Sequence, residues 1–187
     1  MTKVLVISGH PNLEASLANR TILGDLQDEA GLTIETRYLD RLYPDFNIDV
    51  AAEQQALLSA DIIVWQFPFY WYALPALMKK WVDDVLVFGF AHGVGGDKLQ
   101  GKKMVLSFTT GAGAELYNHG QAMNFTVEEF LPPLRQTASL CSMALQQPIY
   151  SNGMSFIPGV SSDAHKAEVE ARAHNHADRL MALIRTL

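Results

Sequence analysis

The sequence predicts a doubly wound α/β domain, a parallel sheet with helices on both faces, and three observations carry that prediction. Lys3–Ser8, Asp61–Gln66 and Met104–Thr109 contain short, nearly continuous apolar runs, as strands buried on both faces require. Segments with apolar residues at helical spacing lie between them, so consecutive strands are joined by crossovers rather than hairpins. Thr33–Leu39 alternates instead, with Ile34, Thr36 and Tyr38 to one side and Glu35 and Arg37 to the other, which suits an edge. Right-handed crossovers then give five strands in the order 2-1-3-4-5 inside a three-layer sandwich.

The elements follow in chain order. After the first strand, Ser16 caps a helix on which Ala18, Ile22, Leu26 and Ala30 recur, and Gly31 supplies the stop. Asp49 caps a short helix through Ser59. Pro75 suits the first position of the next helix, whose inward stripe is Leu77, Trp81, Val85 and Phe88. Lys79/Asp83 and Lys80/Asp84 are four apart on its wet face and read as solvation, not chemistry. A helical region is expected from about Val127 to Leu140. Ala144–Tyr150 contains Pro148 and belongs at an edge. Ser162–Leu187 lacks Gly and Pro and carries Ala164, Ala167, Ala171, Leu180, Leu183 and Ile184, which predicts a long closing helix.

Composition bounds the function. A chain of 187 residues with 49% hydrophobic content builds one core, so residues 1–187 form a single domain. With 14 Lys plus Arg against 20 Asp plus Glu, the net charge of -6 argues against a broad basic face for nucleic acid. The lone Cys141 excludes an internal disulfide or a Cys-rich zinc site, and the chain opens on a strand-like run rather than a charged and apolar leader, so a cytoplasmic setting is expected. Phe67–Met78 is apolar, but it is too short and too interrupted by Pro68 and Pro75 for membrane insertion.

In this topology, ligands bind beyond the carboxyl ends of the strands, in the loops after strands 1, 3 and 4. The first loop runs from Ser8 through Asn19 and lacks both the P-loop lysine and the G-x-G-x-x-G turn, which disfavours ATP or NAD bound in those modes. His10, the Ser16 hydroxyl, the Asn19 amide and the free N–H groups near Ser16, Leu17 and Ala18 suit a phosphate held by neutral donors. The same residues equally suit an ordinary capped helix with a surface histidine. The second loop, Gln66–Pro75, crowds Phe67, Phe69, Tyr70, Trp71 and Tyr72 beside Pro68, offering flat walls to a planar heterocycle, a subunit contact or a hydrophobic plug. In the third loop, Thr109, Thr110, Gly111, Ala112 and Gly113 let a ligand approach the backbone closely. Tyr117 and His119 are its candidate hydrogen-bond or proton donors, and an ordinary Gly-rich turn is the plain alternative.

Loops of phosphate, ring and backbone type at one rim suit a flavin. A phospho-receiver domain needs acidic residues where Ser8-Gly9-His10 and Gln66-Phe67-Pro68 stand, and no G-x-S-x-G marks a serine hydrolase. His165, His174 and His176 lie on different faces of the last helix, so they read as solvated and no metal site is expected.

Ser8-Gly9-His10-Pro11 with Ser16-Leu17-Ala18-Asn19, the block from Gln66 through Asp83, and Gly89-Phe90-Ala91-His92 with Gly101-Lys102-Lys103 and Thr109-Thr110-Gly111 resemble the flavodoxin-like NAD(P)H:quinone oxidoreductases. That family includes DT-diaphorase and the bacterial ancillary flavoproteins of glutathione-regulated potassium efflux, and the resemblance spans about residues 3–150. It implies a homodimer with flavin sites at the interface, reduced by NAD(P)H and reoxidised by a quinone in alternating half-reactions. Carried over, His10, Ser16, Leu17, Ala18 and Asn19 hold the flavin phosphate. Pro68, Phe69, Tyr70, Trp71 and Tyr72 line the ring, with Thr109, Thr110, Gly111, Ala112 and Tyr117 on its other edge. Tyr117 and His119 would be catalytic, although the segment after Tyr117 is shorter than in DT-diaphorase and His119 does not align cleanly. His92 and Val94 stand where that protein contributes tyrosines to the neighbouring pocket. The lack of the animal enzyme's C-terminal extension favours FMN over FAD. The alternative function is regulatory, the activation of a potassium efflux antiporter, which would bring the protein to the inner membrane through its partner.

Overall fold

Alternate residues of the central strands point into two separate apolar layers, and this division organises the molecule. A computed structural model describes residues 1–187. Its strands are β1 (Thr2–Ser8), β2 (Leu32–Tyr38), β3 (Ile62–Pro68), β4 (Lys103–Thr109), β5 (Ala144–Leu145) and β6 (Ile149–Ser151). Its helices are α1 (Leu17–Gly24), α2 (Leu39–Leu42), α3 (Val50–Ser59), α4 (Ala76–Val85), α5 (Pro132–Leu140) and α6 (Asp163–Ile184). All strand pairs are parallel, and the order is β2-β1-β3-β4-β5, with β6 also on β4. The expected fifth strand is therefore two short pieces on either side of Pro148, which has no N–H for the ladder.

Leu5, Ile7, Ile63, Trp65, Phe67, Met104, Leu106 and Phe108 face a layer closed by α3, α4 and α5. Val4, Val6, Ile62, Val64 and Val105 face the other, closed by α1 and α6. Burying one such side chain contributes roughly 1.5–3 kcal/mol, so a strand shifted by one residue would exchange the two layers at large cost. Asp49 and Ser162 cap α3 and α6, each accepting from the backbone N–H three residues on. Lys79/Asp83 and Lys80/Asp84 form exposed pairs on α4.

Five expectations are corrected. Helix α1 ends at Gly24, not Gly31. Gly31 instead adopts φ 86° in the turn that opens β2, where Glu29 and Leu32 exchange backbone hydrogen bonds. Helix α4 ends at Val85, which leaves Phe88 beyond the inward stripe and 67% exposed. The Val127–Leu140 region is a 3-10 turn (Val127–Phe130) followed by α5, which begins on Pro132. On α6 the alanines at 164, 167 and 171 are exposed, and the buried stripe is Val169, Ala173, His176, Ala177, Leu180 and Ile184. His176 is thus not solvated, whereas His174 is exposed beside Asp25. It sits seven residues after Val169 on the same face, where Ser107 and Ser151 satisfy both ring nitrogens.

A second buried polar centre lies on the α3/α4 side. Glu53, fully buried, accepts from Arg37 (2.6 Å), the Tyr43 hydroxyl (2.5 Å) and the Trp81 indole N–H (2.9 Å). Burial, then the Glu53 carboxylate, push the Tyr43 pKa up to about 12.

Candidate active site

The first loop is laid down on α4 by a glycine. A Cβ on Gly9 would stand 2.3 Å from Met78 Sδ and 2.9 Å from Met78 Cβ, and the Gly9 N–H donates to the Gln66 carbonyl at 2.8 Å. One 3-10 turn (Leu13–Ala15) then delivers Ser16 in extended backbone, and its Oγ accepts from Asn19 N at 3.1 Å. The N–H groups of Leu17 and Ala18 precede the first bond of the helix, from Arg20 to the Ser16 carbonyl, and have no intrahelical acceptor. Ala18 offers only that N–H, because its side chain packs in the α1/α6 layer. His10 accepts from Asn12 N through Nδ1 (3.1 Å), so the neutral ring carries its proton on Nε2, 3.3 Å from the Tyr70 hydroxyl. Burial lowers the His10 pKa, opposed by the charge of Asp40, and the ring is neutral at physiological pH.

The second loop does not present its aromatics as one wall. Tyr70–Ala73 is a tight turn, Ala73 N donating to the Tyr70 carbonyl, with Trp71 and Tyr72 both left-handed at φ 50° and 62°. Phe69 is buried against Phe108 and Phe130, and Tyr72 stacks on Phe130 at 4.8 Å. Pro68, Phe69 and Tyr70 line the cleft, whereas Trp71 stands at the turn tip, 91% exposed.

From the third loop, Thr109, Thr110 and Gly111 line the same cleft. A Cβ on Gly111 would meet only Ser155 Cβ at 3.7 Å, so the space beside it is open. Ala112 contributes its carbonyl, which accepts from the Thr110 hydroxyl (2.9 Å). Tyr117 is buried, edge-on to Phe130, and burial raises its pKa despite Thr110 beside its hydroxyl. His119 lies outside the cleft, its side chain 68% exposed and Nε2 3.0 Å from Glu129.

A fourth segment completes the rim and was missed from sequence. Met154, Ser155 and Phe156, after β6, line the cleft, tied to the third loop by Gly153 N to the Ala112 carbonyl (2.8 Å) and Met154 N to the Thr110 carbonyl (2.9 Å). The rule that pointed to the other loops applies here too, since β6 also has a carboxyl end on this rim. In the sequence Met154 and Phe156 look like core residues, so the segment gives no ligand-type signal of its own.

The resulting cleft, about 210 Å³, is lined by no Lys or Arg. One end offers an anion neutral donors: the Leu17 and Ala18 N–H groups, His10 Nε2–H and the Ser16 and Thr109 hydroxyls. The other offers Pro68, Phe69 and Tyr70 beside the open backbone at Gly111. No group of three or more His, Cys, Asp or Glu side chains is placed to hold a metal ion.

Known proteins resemble this chain in sequence and fold. The sequence model of the family described as having a flavodoxin-like fold matches residues 2–177. The uncharacterized NAD(P)H oxidoreductase YrkL of Bacillus subtilis is 40% identical over 179 residues, which are 96% of this chain and 95% of that protein. The KefF ancillary protein of the glutathione-regulated potassium-efflux system of Salmonella arizonae is 40% identical over 181 residues, 96% of each chain. Among solved structures, general stress protein 14 of Treponema denticola in complex with FMN superposes with a TM-score of 0.82 at 33% identity, covering 98% of this chain and 99% of that one.

Proposed function

The chain belongs to the flavodoxin-like fold family, and from that premise we propose that it is an FMN-dependent NAD(P)H oxidoreductase that reduces a quinone or a similar electrophile. The observation that carries this reading is the cleft itself, which joins neutral anion donors to an aromatic and backbone-lined space without one Lys or Arg. A phosphate monoester fits the α1 start, where the Leu17 and Ala18 N–H groups, Ser16, Asn19 and His10 converge. A flat ring fits against Pro68, Phe69 and Tyr70, since Gly111 leaves room on the other side. A 40% identical NAD(P)H oxidoreductase and a 33% identical protein in complex with FMN support the cofactor and the activity.

Bound FMN would supply the redox chemistry, hydride transfer between reduced nicotinamide and the acceptor. The chain binds and orients it. Neither Tyr117 nor His119 lines the cleft; Tyr117, buried edge-on to Phe130, is the proposed donor where negative charge develops, whereas His119 is exposed and paired with Glu129. Exposed Trp71, with Phe88 and with Val94 at 86% exposure, supports a homodimer in which a second copy covers these side chains. The buried Cys141 fits a cytoplasmic setting, and no helix is long and apolar enough to cross a membrane.

Mass analysis of the flavin released on denaturation should give FMN, and a colourless protein that takes up neither FMN nor FAD would refute the assignment. Anaerobic NADH or NADPH should bleach the flavin and a quinone restore its colour. Tyr117→Phe should slow bleaching with FMN retained, and His119→Ala should leave the rate unchanged.

The 40% identity to KefF over 96% of both chains favours a second role, activation of a potassium efflux antiporter. Co-purification with such an antiporter and stimulated potassium efflux would support it, and an antiporter indifferent to the protein would refute it.

A further inference from the structure

The sheet face under α1 and α6 is largely apolar, and a row of buried polar side chains crosses it at the level of Ser8, Gln66 and Ser107. Gln66 and Ser107 are register partners on β3 and β4, Asn19 reaches them from α1 and His176 from α6. Asn19, Gln66, Ser107 and His176 are all buried. Val or Leu at such positions would stabilise the layer without any need for polar partners, so the line calls for a role beyond packing.

The sense of the hydrogen bonds is set at Ser107, whose one hydroxyl hydrogen goes to Gln66 Oε1, so that Ser107 must accept from His176 Nε2–H and His176 Nδ1 must accept from Ser151. Arg179 has only donors, and its Nη2 donates to Ser151 Oγ at 2.8 Å. Ser151 Oγ is 3.0 Å from His176 Nδ1, and its own hydrogen completes that contact. The imidazole then carries its proton on Nε2, 2.8 Å from Ser107 Oγ. Ser107 donates to Gln66 Oε1 (2.5 Å), and Gln66 Nε2 donates to Asn19 Oδ1 (2.9 Å). The two hydrogens of Asn19 Nδ2 go to Ser16 Oγ (3.2 Å) and Thr109 Oγ1 (3.1 Å). Both hydroxyls are therefore acceptors toward the interior, and the hydrogen of each remains free at the cleft they line. With the sense reversed, both hydroxyl hydrogens would turn inward to Asn19 and an incoming anion would meet lone pairs.

We propose that the chain Arg179–Ser151–His176–Ser107–Gln66–Asn19 is a directional relay that holds the Ser16 and Thr109 hydroxyls as donors to the phosphate monoester of the cofactor, with His176, Ser107 and Gln66 as positioning residues. This rests on the FMN reading above. It explains how a cleft without Lys or Arg, in a protein of net charge -6, holds a dianion. The relay aligns neutral dipoles toward the phosphate and ends on the guanidinium of Arg179 at the far side. Burial keeps His176 neutral, as the relay requires, because a second ring proton would displace the Ser151 hydrogen from Nδ1.

The test is titration of the full-length chain with FMN and with riboflavin, which has the same ring and no phosphate. Ser107→Ala interrupts the relay at its middle and should weaken FMN about tenfold, the loss of one charge-assisted hydrogen bond, while riboflavin affinity stays within about twofold. Ser107→Thr, which retains the hydroxyl, should restore the FMN preference. Equal weakening of both ligands would show a structural role only and overturn the relay, as would an FMN preference left intact in Ser107→Ala. A wild-type chain that binds neither flavin, or binds both equally, would overturn the FMN-phosphate reading and the relay with it. Should Ser107→Ala fail to fold, nitrogen-15 NMR of the wild-type His176 ring decides. The proton should be on Nε2 and its signal should shift with FMN but not riboflavin, and a proton on Nδ1 would overturn the proposal.

Discussion

Acidification should destabilise this protein through His176 before its carboxylates are protonated. Burial, and after it the positive charge of Arg179, push the ring's pKa from 6.5 down to about 3. The folded value lies below the unfolded one, so as pH falls the unfolded chain takes up the proton first. The stability that comes from keeping the ring neutral is present in full above pH 6.5 and is lost progressively toward pH 3. The gap between the two values corresponds to about 5 kcal/mol once the pH is below both. At pH 5 about 2 kcal/mol is already lost, a sizeable part of the roughly 5–15 kcal/mol that holds a domain together. Denaturant unfolding of the flavin-free wild type and of His176→Gln at pH 8 and pH 5 isolates this effect, because His10 and the carboxylates titrate in both proteins. The wild type should lose about 2 kcal/mol more than the variant between the two pH values. Equal losses, or a ring that titrates near 6.5 by NMR, would refute the reasoning.

Three further perturbations test separate parts of the structure. Gly9→Ala drives a methyl into Met78 and should cost about 1–3 kcal/mol by overpacking, while weakening FMN as the first loop lifts from α4; calorimetry and flavin fluorescence measure the two. Glu53→Ala leaves the buried Arg37, Tyr43 and Trp81 donors without their acceptor, and denaturant unfolding should show a loss of about 3–5 kcal/mol. Trp71→Asn replaces an indole at φ 50° with a residue that tolerates left-handed backbone, so Tm should not fall, since the strain relieved is up to about 1 kcal/mol, yet flavin retention or dimerisation should decline. A lower Tm would show that the indole stabilises the isolated fold.

Local and periodic features were legible in the sequence because they depend on neighbours along the chain. The continuous runs at β1, β3 and β4, the alternation in β2, the caps at Ser16 and Asp49 and the crossover rule together fix the strand order. That order places the loops bearing His10, Ser16, Tyr70, Thr109 and Gly111 on one rim. Gly31 misled because Leu26 and Ala30 extend a helical spacing past Gly24, whereas the chain needs a turn there to enter β2. Only the tertiary structure decided which polar residues meet across the sheet. Asn19 and Gln66 are 47 positions apart, and Ser107 and His176 are 69 apart. No spacing rule relates residues so distant, and each looks alone like a surface polar group or a helix-face histidine. Folding removes water from all of them together, and each must then find its hydrogen-bond partner among the others. By itself the sequence determined which loops share one rim, and only folding decided which distant polar side chains meet in the buried layer beneath it.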